Sequence, residues 1–199
     1  MPNQLSRPET QRAIVLFPES DGLAGVEALR RRFDPLASSI AAHVTVVFPF
    51  ASTSDPAGLC AHVTGAASDF APFAARFEGV SMQPDGYLFL NIAAGRAELE
   101  RLHGRLYAGL LDSYRSPRQV YRPHITLGRF ADPVALRAAY EEAASMRLRL
   151  DGWFTHLSIY RLGARGTDGC TELDVPLGAR DRRAASPPRG SEARPAESS

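Results

Sequence analysis

Along most of the chain, apolar and polar residues alternate over short runs or recur at steps of three and four over longer ones. The first rhythm predicts strands and the second predicts helices. Arg12 to Pro18 reads as a strand ended by proline. Gly22 to Phe33 carries Leu23, Val26, Leu29 and Phe33 at helical spacing, and Asp34-Pro35 stops it. His43 to Phe48 is a second strand, closed by Pro49. Asp55-Pro56 opens a helix with a capping residue and a proline at the first position, and it runs to about Ala67. Phe73 to Val80 is a strand, Met82 to Gly86 a turn, and Tyr87 to Ile92 a strand of regular alternation. Arg96 to Leu111 is the clearest helix, through Leu99, Leu102, Leu106 and Leu110. A polar loop, Ser113 to Arg122, leads to a strand from His124 to Phe130. Asp132-Pro133 then opens a helix to about Ser145, and Arg147 to Leu150, Phe154 to Leu162 and Thr171 to Pro176 read as strands.

The order contains a repeat. Residues 12–67 and 87–145 each run strand, helix, strand, helix, and the third element of each begins with histidine, an apolar residue and threonine. The fold class expected is α+β, with two duplicated strand-helix-strand-helix lobes related by a pseudo-two-fold axis and a cleft between them. Such clefts are where ligands sit. Residues 12–177 form this domain. Residues 1–11 are polar, with no apolar signal core, and read as a flexible leader. Residues 178–199 are rich in arginine, proline, serine and alanine and cannot bury enough apolar area to offset their ordering entropy, so they read as a disordered tail.

The composition is that of an ordinary globular protein, and a net charge of +1 makes no global electrostatic case for nucleic acid or membrane. No stretch approaches the length of a membrane-spanning helix. All basic residues are arginine, which fits a compositional bias better than a function. Cys60 and Cys170 have no metal-ligand spacing and read as free thiols in a reducing compartment, with a disulfide between them left open. The expectation is a cytoplasmic monomer with no membrane partner.

The repeated motif carries the chemistry. Five histidines and eight threonines placed at random give roughly 0.2 histidine-x-threonine matches. The chain has three: His43/Thr45, His62/Thr64 and His124/Thr126. His62 lies in the helix opened by Asp55-Pro56, where residues two apart do not share a face. In a strand they do, so His43 and His124 are the candidates and His62 is a decoy. Regular alternation puts His43, Thr45 and Val47 on one face and Val44, Val46 and Phe48 on the other. In the second motif His124, Thr126 and Gly128 face the cleft, with Gly128 leaving space beside the site, and Ile125 and Leu127 face the core. Arg129 falls on the core side unless a bulge redirects it. Tyr87, Phe89, Asn91, His156, Ser158 and Tyr160 fall on the cleft side, where aromatic rings can stack a base or simply fill the gap between lobes.

Two histidines suit metal-free phosphoester cleavage. With a reference pKa near about 6.5, one can be neutral and take a proton while the other is charged and gives one. Threonine hydroxyls can donate to non-bridging phosphate oxygens, where charge builds. The competing readings are a structural histidine in each strand, or a zinc pair, for which no carboxylate or cysteine ligand accompanies the motifs.

His43-Val44-Thr45 and Arg122-Pro123-His124-Ile125-Thr126-Leu127-Gly128-Arg129, some eighty residues apart, resemble the two-histidine (2H) phosphoesterase superfamily, and in particular its LigT-like branch of RNA 2′,3′-cyclic phosphodiesterases, also called 2′-5′ RNA ligases. The resemblance covers roughly residues 12–177. It implies antiparallel sheets lining a central groove with helices outside, and no metal or nucleotide cofactor. It implies His43 as proton donor, His124 as acceptor, and Thr45 and Thr126 as phosphate ligands. The implied activity opens a 2′,3′-cyclic phosphate on an RNA end or a nucleotide to a 2′-phosphate, with 2′-5′ ligation as a side activity. The alternatives are another 2H activity, on 2′-5′ oligonucleotides or ADP-ribose cyclic phosphate, and a non-enzymatic nucleotide- or RNA-binding module. The loop Ser113–Arg122 and the segment after Leu162 carry few basic residues, which favours a small cyclic nucleotide or only the end of an RNA over a long one.

Overall fold

The computed structural model describes residues 10–52, 55–118, 120–163 and 169–178. The leader expectation for residues 1–9 and the tail expectation for residues 179–199 lie outside the described residues. Thr10 and Gln11, assigned above to the leader, pair with Ser52 and Ala51.

The protein is a mixed α/β structure. Its elements are β1 (Thr10–Leu16), α1 (Leu23–Phe33), β2 (Val44–Ser52), α2 (Pro56–Ser68), β3 (Phe73–Met82), β4 (Tyr87–Ala94), α3 (Arg96–Leu106), β5 (His124–Arg129), α4 (Pro133–Ser145), β6 (Arg149–Phe154), β7 (His156–Arg161) and β8 (Cys170–Pro176). The strands form an antiparallel sheet in the order β6-β3-β4-β5-β2-β1-β7-β8. The two halves, β6-β3-β4-β5 and β2-β1-β7-β8, are joined at the centre by the pair Val44↔Ile125, both fully buried. The two sheets expected from the resemblance are thus the halves of one.

The helices follow the same pseudo-symmetry. Helix α1 packs on β5 and α3 on β2, so each lobe's first helix crosses to the strand of the other lobe; α2 packs on β7 and β8, and α4 on β3 and β4. The apolar stripes read from sequence are buried accordingly: Val26 and Leu29 of α1, and Leu99, Leu102 and Leu106 of α3. Helix α3 stops at Leu106 rather than Leu111. Gly109 takes a left-handed φ of 79° and breaks the periodicity, so Leu110 turns outward at 39% exposure while Leu111 turns in at 1%. The two Asp-Pro starts also differ. The Asp132 carboxylate accepts from the Val134 and Ala135 amides, whereas the Asp55 side chain makes no capping bond.

Pro49 does not end β2, which continues to Ser52. The ladder with β1 shifts register between Arg12↔Phe50 and Ile14↔Val47, so Pro49 sits in a bulge, and β5 pairs with β2 only at Val44. No partner needs the amide that proline lacks.

Candidate functional site

The two motifs meet where the halves of the sheet join. Val44 pairs with Ile125 in antiparallel register. Continued by one residue each way, that register sets His43 opposite Thr126 and Thr45 opposite His124. Side chains directly opposite one another lie about 4.5–5.5 Å apart at Cβ. The four side chains therefore alternate histidine and threonine around one spot, and all four line a groove of about 860 Å³. His62 is elsewhere, on α2, with its Nε2 on the Leu106 carbonyl at 2.7 Å.

A β-bulge follows each motif and changes what comes next. On β2 the pairing steps from Val15↔Thr45 to Ile14↔Val47, leaving Val46 as the extra residue. On β5 it steps from Phe89↔Thr126 to Leu88↔Gly128, leaving Leu127 as the extra. Each bulge reverses the alternation beyond it. Val47, expected in the cleft, is fully buried, and Phe48 lines the groove instead. Gly128 likewise leaves no space beside the site. It is buried against α1, where a Cβ would lie 2.8 Å from the Phe33 Cβ and 3.0 Å from the Phe33 carbonyl oxygen. Arg129 is redirected into the groove, with its guanidinium 5.2 Å over the Tyr87 ring.

The histidines are held alike. His43 Nδ1 lies 2.8 Å from the carbonyl of Ala41, and His124 Nδ1 lies 2.6 Å from that of Arg122, in each case two residues back. A carbonyl only accepts, so Nδ1 carries the proton in both rings and Nε2 is the nitrogen left for a ligand. The His124 ring also stacks on Phe89, with centroids 3.5 Å apart, and Phe17 meets His43 edge-on. Burial pushes the His43 pKa down to about 4; the bond to Ala41 opposes this, the charge of Arg30 adds to it, Asp34 opposes it, and His124 adds again. Burial also lowers His124, opposed by its bond to Arg122 and by Asp85.

The backbone before His43 is fixed by a buried charge cluster. Arg30 on α1 is 1% exposed. Its guanidinium donates to the Ile40 carbonyl at 2.9 Å, to Asp34 at 2.7 and 3.1 Å, and to Glu27 at 3.2 Å. Glu27 in turn accepts from the Ala42 amide at 2.5 Å. Ile40 and Ala42 flank Ala41, so the cluster holds the peptide that orients the His43 ring. Nothing in the sequence marked this, because a salt-bridged Glu27, Arg30 and Asp34 look like any exposed helix face.

Of the cleft-side expectations, Tyr87, Phe89 and Tyr160 line the groove; the Tyr160 hydroxyl donates to the Ser39 carbonyl at 2.6 Å. Asn91 accepts from Ser81 instead, Ser158 is buried against Asp174 of β8, and His156 is exposed beside Thr155. The groove also takes Asp34, Asp85, Arg118 and Arg122, which sequence reasoning did not select. Cys60 and Cys170 are both free. Among the described residues no group of three or more His, Cys, Asp or Glu is placed to hold a metal ion, and no helix is long and apolar enough to cross a membrane.

An antiparallel, pseudo-two-fold sheet with a histidine-x-threonine strand from each half meeting in one groove defines the 2H phosphoesterase class. A model of the 2′-5′ RNA ligase superfamily matches residues 17–166, and the chain belongs to that superfamily. A Bacillus licheniformis protein that carries a provisional phosphoesterase name is 28% identical over 116 residues, 57% of this chain and 68% of that protein. Among solved structures, Escherichia coli LigT complexed with 3′-AMP superposes with a TM-score of 0.58 at 15% identity, covering 86% of this chain and 99% of that one. A Thermus thermophilus protein gives 0.56 at 17%, covering 84% and 98%. At these identities the structural likeness concerns the fold.

Proposed function

We propose that the protein is a metal-independent phosphodiesterase that opens a 2′,3′-cyclic phosphate, on an RNA end or a nucleotide, to a 2′-phosphate. The observation that carries this reading is the matched pair of histidines, each with Nδ1–H tied to a backbone carbonyl and Nε2 left free beside a threonine of the opposite strand. His124 takes a proton from water as its oxygen attacks phosphorus. His43 gives a proton to the ribose O3′ as the P–O3′ bond breaks, leaving a 2′-phosphate and a 3′-hydroxyl. Thr45 and Thr126 donate to the non-bridging oxygens, which carry the developing charge. A ribose 5′-hydroxyl in place of water gives a 2′-5′ linkage by the same steps.

The assignment of donor and acceptor is the one that the family resemblance implies, and burial lowers both histidines in the free protein. His43 is pushed down to about 4 in the free protein, so it can give a proton only where its surroundings favour the charged ring. An anionic phosphodiester between the rings raises both histidines and supplies the condition for that charge. Tyr87 and Phe89 offer ring faces to a base, and the structures of E. coli LigT complexed with 3′-AMP and with ATP support a nucleotide as the class of ligand. The test is turnover of 2′,3′-cyclic mononucleotides and of RNA ending in a cyclic phosphate, with the product phosphate assigned by NMR. A 2′-phosphate is expected. A 3′-phosphate product, or no opening of either substrate, overturns the proposal.

A further inference from the structure

One buried histidine has no part in the steps above. His103 on α3 is 7% exposed and stands behind Phe48, which lines the groove. Its place mirrors that of Arg30. Each is the eighth residue of its lobe's first helix, and each follows a glutamate, Glu27 or Glu100, by three positions. Arg30 fixes the chain before His43. His103 touches two segments, one from each lobe.

The first is the bulge on β2. Val46 is its extra residue, paired with neither β1 nor β5, and it is fully buried. A buried carbonyl outside the ladder needs a donor from elsewhere. His103 Nδ1 supplies it at 2.7 Å, and because a carbonyl only accepts, Nδ1 carries the proton. Burial lowers the His103 pKa against the pull of that bond, which favours the neutral ring with this one proton. Just past the end of α3, the Tyr107 hydroxyl accepts from the Phe48 amide at 3.2 Å. His103 and Tyr107 thus hold the peptides on either side of Val47, which set where Phe48 points.

The second is the segment leading into β5. The His103 ring lies flat on Tyr121, with centroids 3.9 Å apart and planes 7° apart. The Tyr121 hydroxyl is buried and has no hydrogen-bond partner among the described residues, so ring contacts hold this side chain, His103 on its face and Phe48 edge-on. Tyr121 directly precedes Arg122, whose carbonyl takes the His124 Nδ1–H. A neutral imidazole donates in its plane and stacks on its face, which meets both demands. Asparagine offers the donor alone, and phenylalanine the face alone.

We propose that His103 is a positioning residue for both half-sites: its Nδ1–H holds the bulge that turns Phe48 into the groove, and its ring face holds Tyr121 and, through it, the Arg122 carbonyl that orients His124. This rests on the reading that His124 acts on a phosphate bound in the groove.

Two variants separate the two halves. His103→Asn keeps a donor at the Nδ1 position and loses the ring, whereas His103→Phe keeps the ring and loses the donor. Each is assayed for kcat and KM on a 2′,3′-cyclic mononucleotide, for the His124 Nδ1–H form by imidazole NMR, and for hydrogen exchange at the Phe48 amide. His103→Asn should lower kcat by about ten- to hundred-fold with little change in KM. It should deplete the His124 Nδ1–H form and leave the Phe48 amide protected. His103→Phe should speed Phe48 exchange about tenfold and raise KM by about five- to tenfold, the scale of one aromatic contact to a base. It should keep the His124 Nδ1–H form. Tyr121→Leu removes the stack from the other side and should repeat the His103→Asn result; it decides that half if His103→Asn does not fold. A lower urea midpoint with both NMR signals and both kinetic constants unchanged, or one and the same kinetic loss in the two His103 variants, is what a merely structural residue gives and overturns the proposal. Should no cyclic phosphate be opened at all, the catalytic reading fails and the two NMR signals still decide this one: a split between the variants as stated supports it, and any other pattern overturns it.

Discussion

Replacing Arg30 with methionine tests the link between the buried charge cluster and the site. The substitution keeps much of the side-chain volume and removes the guanidinium. It leaves Asp34, whose side chain is 6% exposed, without the donors at 2.7 and 3.1 Å, and leaves the Ile40 carbonyl without its donor at 2.9 Å. Breaking a buried pair by removing one partner costs about 3–5 kcal/mol, because the remaining charge stays buried and uncompensated. A domain of this kind has about 5–15 kcal/mol in hand, so the variant should still fold at 25 °C. Urea denaturation should show a lower midpoint at an unchanged slope. Adding Asp34→Asn should recover part of the loss, since the uncompensated charge is gone, and the cycle should give a coupling of about 0.5–3 kcal/mol. The functional half is separate. Ile40 and Ala42 frame the Ala41 carbonyl, so loosening them should let the His43 ring turn and lower kcat by about ten- to hundred-fold with little change in KM. Imidazole NMR should show the His43 Nδ1–H form losing its dominance. A stability loss under about 1 kcal/mol would refute the energetic reasoning, and an intact kcat in a clearly destabilised variant would refute the positioning.

Four further outcomes are expected. His43→Ala and His124→Ala should each abolish cyclic-phosphate opening, whereas His62→Ala should keep it and cost only about 1 kcal/mol from the bond to Leu106; a dead His62→Ala enzyme that remains folded refutes the motif assignment. Both groove histidines are shifted downward in the free protein, so the midpoint between donor and acceptor should move below the ordinary histidine value of about 6.5. The kcat/KM profile, which reports the free enzyme, should peak on the acid side of that value, and kcat, measured with the phosphate bound, should peak higher; a kcat/KM optimum above about pH 7 contradicts this. The same shift makes a stability prediction: His43 takes up a proton more readily unfolded than folded, so its contribution is full above about 6.5 and is lost as pH falls toward about 4. His43→Asn should flatten the urea midpoint across that window. Gly128→Ala should destabilise by about 1–3 kcal/mol, since the added methyl meets the Phe33 backbone; a neutral result means that α1 can move away from β5.

Much of the fold was legible because local patterns carried it. The period of two, the period of 3.6 and the Asp-Pro starts located the strands and helices, and the 81-residue offset between His43 and His124 marked the duplication. The helical setting of His62 separated it from His43 and His124 without coordinates. Tertiary structure decided what depends on pairing. A bulge is a property of two strands, so one sequence read alone put Val47 and Gly128 in the cleft and Phe48 and Arg129 outside it, and the ladders with β1 and β4 reversed all four. Pro49 could remain inside β2 because its neighbour β5 pairs only at Val44. The cluster of Glu27, Arg30 and Asp34 is local in sequence, but its burial depends on the loop through Ile40 and on the strand α1 crosses to reach. Identity along the chain determined which residues could do chemistry. The sum of register, bulge and burial determined which atoms face the same groove, because those are relations between segments that no single segment contains.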